Sequence, residues 1–212
     1  MKIGIIGSGN IGGSVGIHLA KAGHEVIFSS RNPEKLTPLV AATDGKAKAS
    51  TPEEAANFAE VILLAIPFGN VPAVAQTIGS IDGKVLIDAG NYYPQRDGAE
   101  IGKAMQEKGL LETEWTASHF SGAHVGKAFN SIYYKTLQNK AFASQADRLA
   151  IPFAAADKKA EETIQSLLIS IDFAPVFLGD LTQTKIIQPN ESLYTKEMSE
   201  EALKKQVKQL LG

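Results

Sequence analysis

Close to its start, the chain carries one run of residues whose types and spacing suit a specific chemistry, Gly7-Ser8-Gly9-Asn10-Ile11-Gly12. It follows the apolar segment 2–6 and opens a segment, 10–22, in which apolar residues recur at helical spacing. In this pattern the first glycine makes a tight turn, the second lets a pyrophosphate approach the backbone, and the third lets the helix pack closely on the strand. The free N–H groups and the dipole of such a helix attract an anion. The run therefore predicts a dinucleotide-binding loop formed by Gly7, Ser8, Gly9, Asn10, Ile11 and Gly12.

The residues that follow the second predicted strand, 25–28, indicate which dinucleotide binds. Domains that prefer NAD usually place a carboxylate about 20 residues beyond the glycines, where it contacts the ribose 2′-hydroxyl. This chain has Ser29, Ser30 and Arg31 instead. Hydroxyls can donate to a 2′-phosphate, and a guanidinium offers it a charged planar fork. We therefore predict that the cofactor is NADP(H). The alternative is that Arg31 is a solvated loop residue.

Residues after the later strands supply the remaining candidates, because parallel sheets bind ligands at the carboxyl ends of their strands. Asn91 follows the fifth predicted strand and can hydrogen-bond a carboxamide. Asn130 lies at the end of the next strand, although it could equally cap a helix, and Phe68 could equally belong to the core. Tyr92 or Tyr93 either stacks on a flat substrate or forms a rigid turn. The predicted contacts are completed by Ala65, Ile66, Pro67, Phe68, Asn91, Ala128, Phe129 and Asn130, with Pro67, Asn91 and Asn130 nearest the nicotinamide.

Alternating strand and helix patterns must position these residues. Strand patterns lie at 2–6, 25–28, 46–49, 61–66, 85–88, 124–130, from 149, and at 174–178. Helix patterns lie at 10–22, 33–42, from 51, at 71–78, from 130 to about 137, at 157–170 and at 199–211. This alternation predicts an α/β fold, a Rossmann-type doubly wound, mostly parallel sheet with a short helical C-terminal extension. We expect an NADP-binding domain over 1–178 and an extension over 179–212 that packs on the same domain or on the partner in a homodimer.

The composition narrows the classes of function. The chain has 212 residues of which 44% are hydrophobic, enough for a core, and its net charge of −2 gives no electrostatic footprint for nucleic acid. No apolar run approaches the length of a membrane span, and the first residues form a strand pattern rather than a signal peptide. Because the chain has no cysteine, disulfides, thiolate metal sites and cysteine nucleophiles are excluded. We expect a cytoplasmic protein that binds neither nucleic acid nor membranes.

The chain has four histidines, whose side chains could bind a metal or act in catalysis. His18 within the first predicted helix and His24 in the turn after it are predicted to be structural. His119 and His124 lie on a glycine-containing loop, where a role at the mouth of a substrate site stays open. No third ligand accompanies them, so we predict no metal site.

Several of these motifs together carry a resemblance to a known family. The quoted residues are Gly7-Ser-Gly-Asn-Ile-Gly12, Ser30-Arg31, Ala65-Ile-Pro67, Asp88-Ala-Gly-Asn91 and Lys127-Ala-Phe-Asn130. In this combination the chain resembles the coenzyme F420-dependent NADP oxidoreductases over roughly residues 1–178. The same pattern is similar to the cytosolic NADPH-binding domain of transmembrane ferric reductases.

The resemblance implies roles for individual residues. Ser8, Asn10 and Ile11 would line the pyrophosphate loop. Ser30 and Arg31 would hold the 2′-phosphate. The residues that would approach the nicotinamide are Pro67, Asn91, Ala128 and Asn130.

The resemblance also implies a reaction. Hydride would pass between the nicotinamide of NADP(H) and a flat small-molecule acceptor such as coenzyme F420 or a flavin, as a second substrate. This chemistry depends on alignment of two rings rather than on acid–base groups, so no catalytic side chain is predicted. Two alternatives are a non-catalytic NADP(H)-binding redox sensor and a reductase of a small carbonyl substrate. The residues after Asp180 would either complete the acceptor pocket or form a dimer contact, and the candidates there are Gln183, Lys185, Gln188, Asn190 and Tyr194.

Overall fold

The structure of the chain is a computed structural model, and it describes residues 1–144 and 148–212. The strands found there are β1 (Lys2–Ile6), β2 (Glu25–Ser29), β3 (Ala47–Ser50), β4 (Val61–Leu64), β5 (Val85–Asp88), β6 (His124–Lys127), β7 (Ala150–Ala155) and β8 (Ala174–Phe177). They form one sheet in the spatial order β3-β2-β1-β4-β5-β6-β7-β8. The expected doubly wound α/β fold is confirmed.

Helices connect the strands and cover both faces of the sheet. They are α1 (Asn10–Lys21), α2 (Thr37–Ala41), α3 (Pro52–Phe58), α4 (Val71–Ile78), α5 (Pro94–Asp97), α6 (Ala99–Lys108), α7 (Glu112–Ser118), α8 (Tyr134–Lys140), α9 (Lys158–Ser170) and α10 (Glu200–Leu211). Short 3-10 turns span Pro33–Leu36, Phe68–Asn70 and Leu181–Ile187. Helix α3 starts as the sequence predicts, because the Thr51 hydroxyl accepts the N–H of Glu54 and proline follows the cap.

The direction of the strands determines where the sheet can bind a ligand. Strands β1 to β6 are mutually parallel, and the chain reverses its strand order between β1 and β4. Ligands bind at such a switch point, beyond the carboxyl ends of the strands. Strand β7 runs antiparallel to β6, and β8 is parallel to β7. The sheet is therefore mostly parallel.

Alternation along the central strands builds a separate core on each face. In β1, Ile3 and Ile5 pack on one side with α1, α8 and α9, whereas Ile6 packs on the other with α3 and α4. Because both faces are covered, strands such as β4 are apolar at every position. The central strands are thus held rigidly beneath the loops at their carboxyl ends.

Predicted boundaries were wrong at the ends of β4 and β6, of which β6 ends at Lys127 rather than at 130, and at the start of α8. Strand β4 ends at Leu64 rather than Ile66, since the chain leaves the sheet before Pro67, which has no N–H to donate. The helix expected directly after Asn130 begins only at Tyr134, and Tyr133 occupies the cap position instead of Asn130. The segment from α5 to α7 carried no prediction.

The C-terminal segment packs on its own chain. Ile186, Ile187, Leu193 and Leu203 form a cluster with residues of β7 and β8. Helix α10 begins at the Ser199 cap, within one residue of the predicted stretch. Among the described residues, no helix has the length and apolar character needed to cross a membrane.

Candidate functional site

Two clefts lie along the carboxyl ends of the central strands. The first, here called the Arg31 cleft, has a volume of about 530 Å³ and is lined by residues at the ends of β1 and β2. The second, here called the Asn91 cleft, has a volume of about 350 Å³ and is lined by residues at the ends of β4, β5 and β6. Ile66 and Pro67 line both clefts. An extended ligand could therefore cross from one to the other over this wall.

The glycine loop joins the two clefts. A Cβ on Gly12 would lie 1.9 Å from the carbonyl oxygen of Gly7, so only glycine lets α1 approach the loop this closely. A Cβ on Gly9 would meet no atom within 4 Å, so the backbone at Gly9 faces open space. The first turn of α1 contains no acidic residue. The loop thus presents bare backbone and an uncompensated helix N-terminus, which suits an anion.

In the Arg31 cleft the three predicted residues have different roles. The hydroxyl of Ser29 is buried and donates to the carbonyl of Ile5 (2.8 Å), so it supports the strands and is not the phosphate donor we expected. The Ser30 hydroxyl accepts the N–H of Asn32 (3.1 Å), which leaves its own proton free to donate. Arg31 is exposed, and no ion pair engages it within the described residues. Ser30 and Arg31 are the groups available to an anion.

The Asn91 cleft is organised by a pair of amides. The Asn91 Nδ2 donates to the backbone carbonyl of Asn130 (2.9 Å), and the Asn130 Nδ2 donates to the Asn91 Oδ1 (3.1 Å). Asn130 also donates to the carbonyl of Ile187 in the C-terminal segment (2.8 Å). Three distant parts of the chain are therefore tied together at this point.

The backbone after β6 is strained where it presents Asn130. Phe129 has a φ of 67°, in the left-handed region that bulky residues rarely adopt. Its side chain is buried in the core, which holds the turn in place. The Oδ1 of Asn130 is buried and has no hydrogen-bond partner among the described residues. An unpaired buried acceptor of this kind costs about 1–3 kcal/mol.

A buried cluster of charges lies beneath the loop that carries Asn91. The Lys127 ammonium is completely buried and donates to Asp88 Oδ2 (2.9 Å) and to the carbonyl of Gly90 (2.5 Å). Asp88 accepts the N–H of Gly90 through its Oδ1 (2.9 Å). A second carboxylate, Glu112, lies 4.0 Å from the Lys127 Nζ. The cluster thus has one cationic and two acidic groups.

Glu112 has a perturbed pKa. Burial raises its pKa from 4.5 to about 6, because the ionised form loses its hydration. The nearby Lys127 ammonium and the backbone N–H of Tyr92 oppose this rise, whereas Asp88 and Asp97 add to it by charge repulsion. The charge of the cluster therefore changes near pH 6.

Aromatic and cationic groups form the mouth of the Asn91 cleft. The hydroxyls of Tyr93 and Tyr194 are 2.6 Å apart, and burial together with this contact raises the pKa of Tyr194. The Arg96 guanidinium lies over the Tyr93 ring, 4.8 Å from its centroid, and pairs with Asp97 (2.8 Å). Tyr133, Tyr134 and Thr195 also line the mouth. These flat and polar surfaces can hold a planar ligand.

The structure brings most predicted residues to the two clefts. Those that line the Arg31 cleft are Gly7, Ser8, Ser29, Ser30, Arg31, Ile66 and Pro67. Those that line the Asn91 cleft are Asn10, Ile11, Ala65, Ile66, Pro67, Asn91, Phe129 and Asn130. Gly9 lines a hollow beside α1 together with Ser8 and Asn10.

Three predicted contacts lie away from the cleft linings. Phe68 is completely buried against Tyr92 and Trp115, so its side chain belongs to the interior. Ala128 is completely buried in the core below the Asn91 cleft. Gly12 packs against the loop backbone. The side chains of Phe68 and Ala128 are thus support rather than lining.

The histidines lie apart from the clefts. The His18 ring is hydrogen-bonded to the Leu137 carbonyl (3.0 Å), and burial lowers its pKa. His24 contacts the Ser170 hydroxyl (3.1 Å). His124 begins β6, at the edge of the sheet opposite the clefts, and pairs with Asp157 (2.8 Å). His119 packs on Trp115. The possibility that His124 lies at the mouth of a substrate site is therefore wrong.

Sequence reasoning missed residues that line or support the Asn91 cleft. The lining residues without a predicted role are Arg96, Ile132, Tyr133, Tyr134 and Thr195. Lys127 and Asp88 were quoted within motifs but were given no role of their own, and Glu112 was not predicted to have any role. A lysine inside an apolar strand, Val125 to Ala128, was the one available signal, because lysine is almost never fully buried unless it is paired.

Comparisons with known proteins show which families and proteins the chain resembles. Residues 2–92 match the family model described as NADP oxidoreductase, coenzyme F420-dependent. The F420-dependent NADP reductase of Methanothermobacter marburgensis is 41% identical over 156 residues, which cover 62% of this chain and 64% of that protein. The metalloreductase STEAP3 of Rattus norvegicus is 27% identical over 193 residues, which cover 88% of this chain and 36% of that protein.

Among solved structures, a hypothetical protein from Sinorhizobium meliloti has the same fold. Its TM-score is 0.79 at 24% identity, and the match covers 93% of this chain and 95% of that one. By contrast, the chain spans only about a third of the metalloreductase and less than two thirds of the NADP reductase.

Proposed function

We propose that the chain is a coenzyme F420-dependent NADP oxidoreductase, like the family whose model residues 2–92 match, and that it binds NADP(H) and transfers hydride between the nicotinamide and a flat acceptor such as coenzyme F420 or a flavin. The observation that carries the proposal is the pair of clefts that share Ile66 and Pro67, with the bare glycine loop between them. This arrangement suits a dinucleotide whose two halves lie on either side of a pyrophosphate.

The residues present fit the nucleotide along its length. Ser30 and Arg31 offer a hydroxyl proton and a guanidinium, which has no ion pair within residues 1–144 and 148–212, to a 2′-phosphate. The open space at Gly9 leaves room for the pyrophosphate, and the N-terminus of α1 attracts it. At the other end, Asn91 and Asn130 line the cleft, where their amide groups suit hydrogen bonds to a carboxamide.

The mouth of the Asn91 cleft supports a planar acceptor. Tyr93, Tyr134 and Tyr194 provide aromatic surface beside the proposed nicotinamide site. The Arg96 guanidinium uses its Nε and Nη2 on Asp97 and on the Asn91 carbonyl, so its Nη1 is left to bind an anionic substituent. The cleft volume of about 350 Å³ is at the small end for ligand sites, so only the reacting rings would be enclosed.

The chain contributes binding and alignment to the reaction. When bound, NADPH would supply the hydride, and the acceptor would take it up together with a proton from solvent. Asn91 and Asn130 orient the carboxamide, while Ile11 and Pro67 provide apolar walls. Because both rings carry the reactive atoms, the residues act by holding them at a productive distance.

The experiment is an NADPH oxidation assay with a panel of acceptors: coenzyme F420, FMN, FAD, riboflavin, a quinone and ferric chelates, with NADH for comparison. We expect turnover with a deazaflavin or flavin, faster from NADPH than from NADH. The Gly9→Val variant, prepared identically, controls for contaminating reductases. Tyr194→Ala should raise the KM for the acceptor several-fold and leave the Kd for NADPH unchanged.

The outcomes separate the alternatives. Tight NADPH binding without reduction of any member of the panel would contradict the proposed acceptor class. It would favour the sensor or a carbonyl reductase, for which the paired hydroxyls of Tyr93 and Tyr194 offer a proton donor. Absence of NADPH binding would contradict the proposal as a whole.

A further inference from the structure

We propose that Lys127 is a positioning residue whose buried ammonium holds the loop 88–91 in the conformation that presents Asn91 to the nicotinamide end of the cofactor. The identity of the bound group rests on the proposed function. The role of Lys127 in holding the loop rests on geometry alone, and it can be measured without any ligand.

The contacts of Lys127 converge on one residue. Its Nζ donates to the Gly90 carbonyl (2.5 Å), and its counter-ion Asp88 accepts the Gly90 N–H (2.9 Å). Both polar groups of the Gly90 backbone are therefore held by the two members of one ion pair. Gly90 precedes Asn91 directly, so these contacts set the direction in which the chain enters Asn91.

The location of the pair argues against a purely packing role. Burying an ammonium and a carboxylate carries a large desolvation cost, and well-packed apolar residues often stabilise a fold as well or better. Lys127 is the last residue of β6 and Asp88 the last of β5, where they face each other in register. Elsewhere the central strands fill such positions with apolar side chains. The charges occur where the sheet ends and the cleft begins.

The reach of the pair extends to Asn130. Lys127 is separated from Asn130 by two residues, including the strained Phe129, and Asn130 exchanges hydrogen bonds with Asn91. A displaced Gly90 would move Asn91 and break this exchange. We therefore expect loss of Lys127 to disturb the Asn91 cleft and to leave the Arg31 cleft intact.

The test compares two ligands in one variant. NADPH occupies both clefts, whereas 2′,5′-ADP carries the 2′-phosphate but no nicotinamide and reports on the Arg31 cleft alone. In Lys127→Met we expect the Kd for NADPH to rise about tenfold and the Kd for 2′,5′-ADP to stay within about twofold, since a misplaced polar contact is worth about 1.4 kcal/mol. Equal weakening of both ligands, or of neither, would overturn the proposal.

A matched control is available at the other end of β5. The Lys84 Nζ donates to the carbonyls of Ala56 (2.6 Å) and Asn57 (3.2 Å), far from both clefts. Lys84→Met removes a lysine with two backbone contacts but should leave both affinities unchanged. A selective loss of NADPH affinity in this control would overturn the assignment to Lys127.

A second variant and a ligand-free measurement keep the test decisive. Because Lys127→Met leaves Asp88 buried without its counter-charge, the double variant Lys127→Met/Asp88→Asn removes the ion pair that holds Gly90 and leaves Glu112 as the one acid of the cluster. It should show the same selective loss. Amide hydrogen exchange at Gly90 and Asn91 should accelerate at least tenfold in both Lys127 variants and not in Lys84→Met. Unchanged exchange would overturn the positioning role, whereas failure of wild-type protein to bind NADPH would contradict only the proposed function.

Discussion

The two clefts are built in contrasting ways, although they share the wall formed by Ile66 and Pro67. The Arg31 cleft is lined by residues at the ends of β1 and β2 and by residues of α4, and its exposed Arg31 has no ion pair within the part of the chain that the structure describes. The Asn91 cleft is braced from below by the Lys127–Asp88 pair and from the side by Ile187. One cleft is a local feature, and the other is assembled from distant segments.

This difference indicates how the two ends of the proposed dinucleotide site would have different tasks. A phosphate needs charge and free donors, which flexible exposed side chains supply. A reacting ring needs a fixed position, because misplacement by about 1 Å can cost about a hundredfold in rate. Buried charges and reciprocal amides restrict the Asn91 cleft accordingly. We therefore expect mutations in the two clefts to have separable effects.

The largest expected effect breaks the connection between the clefts. Gly9→Val places a branched side chain in the open space that the pyrophosphate would occupy, so both NADPH and NADH should bind at least about a hundredfold more weakly. The variant should still fold, because valine at the N-cap of α1 lowers the free energy of unfolding by at most about 1 kcal/mol. Calorimetric titration and thermal unfolding measure the two quantities.

Gly9→Ala provides the graded comparison, with a smaller loss of affinity for both nucleotides. Retained NADPH affinity in Gly9→Val would show that the nucleotide does not cross the glycine loop. The hypothesis that the two clefts form one nucleotide site would then be wrong.

A smaller effect concerns the braced cleft and pH. Burial raises the pKa of Glu112 from 4.5 to about 6, so the unfolded chain releases this proton more easily than the folded protein does. Stability should therefore fall as pH rises from 4.5 to 6 and stay lower above it, by about 2 kcal/mol. Glu112→Gln cannot ionise and should be more stable than the wild type by about this amount at pH 7.

Denaturant unfolding at several pH values measures this difference. The two proteins should converge below pH 4.5, where Glu112 is protonated in both states of the wild type. Glu107→Gln, on the exposed surface of α6, removes the same charge and should show no such pH dependence. An equal stability of Glu112→Gln and wild type at pH 7 would contradict the raised pKa.

The smallest expected effect concerns Arg31 and tests whether the Arg31 cleft binds the 2′-phosphate. Arg31→Ala should weaken NADPH binding about tenfold, the value of one charge-assisted contact, and leave NADH binding nearly unchanged. Arg31→Lys keeps the charge without the planar fork and should fall between the two. Parallel titrations with both nucleotides are sufficient. An equal loss for NADPH and NADH would refute the 2′-phosphate assignment.

The two clefts also differ in how well the sequence predicted them. The glycine loop, Ser30 and Arg31 lie within one βαβ unit, so their spacing along the chain was enough to place them together. Ser29 and Phe68 were placed at the right strand ends, but their side chains turn into the interior. Strand position predicts the end of the sheet at which a residue lies, not the direction of its side chain after the strand has ended.

The Asn91 cleft needed the folded chain. Tyr194 lies 101 residues from Tyr93, yet their hydroxyls meet at the mouth of the cleft. No periodicity signals such a contact, because it depends on how the C-terminal segment packs on β7 and β8. The sequence pattern from 149 indicated the strand β7 but not its antiparallel direction, and the helices α5 to α7 were not predicted.

By itself, the sequence determined the doubly wound sheet and the glycine loop, and it predicted the residues suited to a 2′-phosphate. Local steric and hydrogen-bonding rules dictate all three, since they act between residues close along the chain. Only the tertiary structure decided that Lys127 and Asp88 form a buried pair, that Asn91 and Asn130 exchange hydrogen bonds, and that Tyr194 reaches the cleft. These contacts join separate strands and loops, whose distances are set by packing of the whole domain rather than by chain spacing.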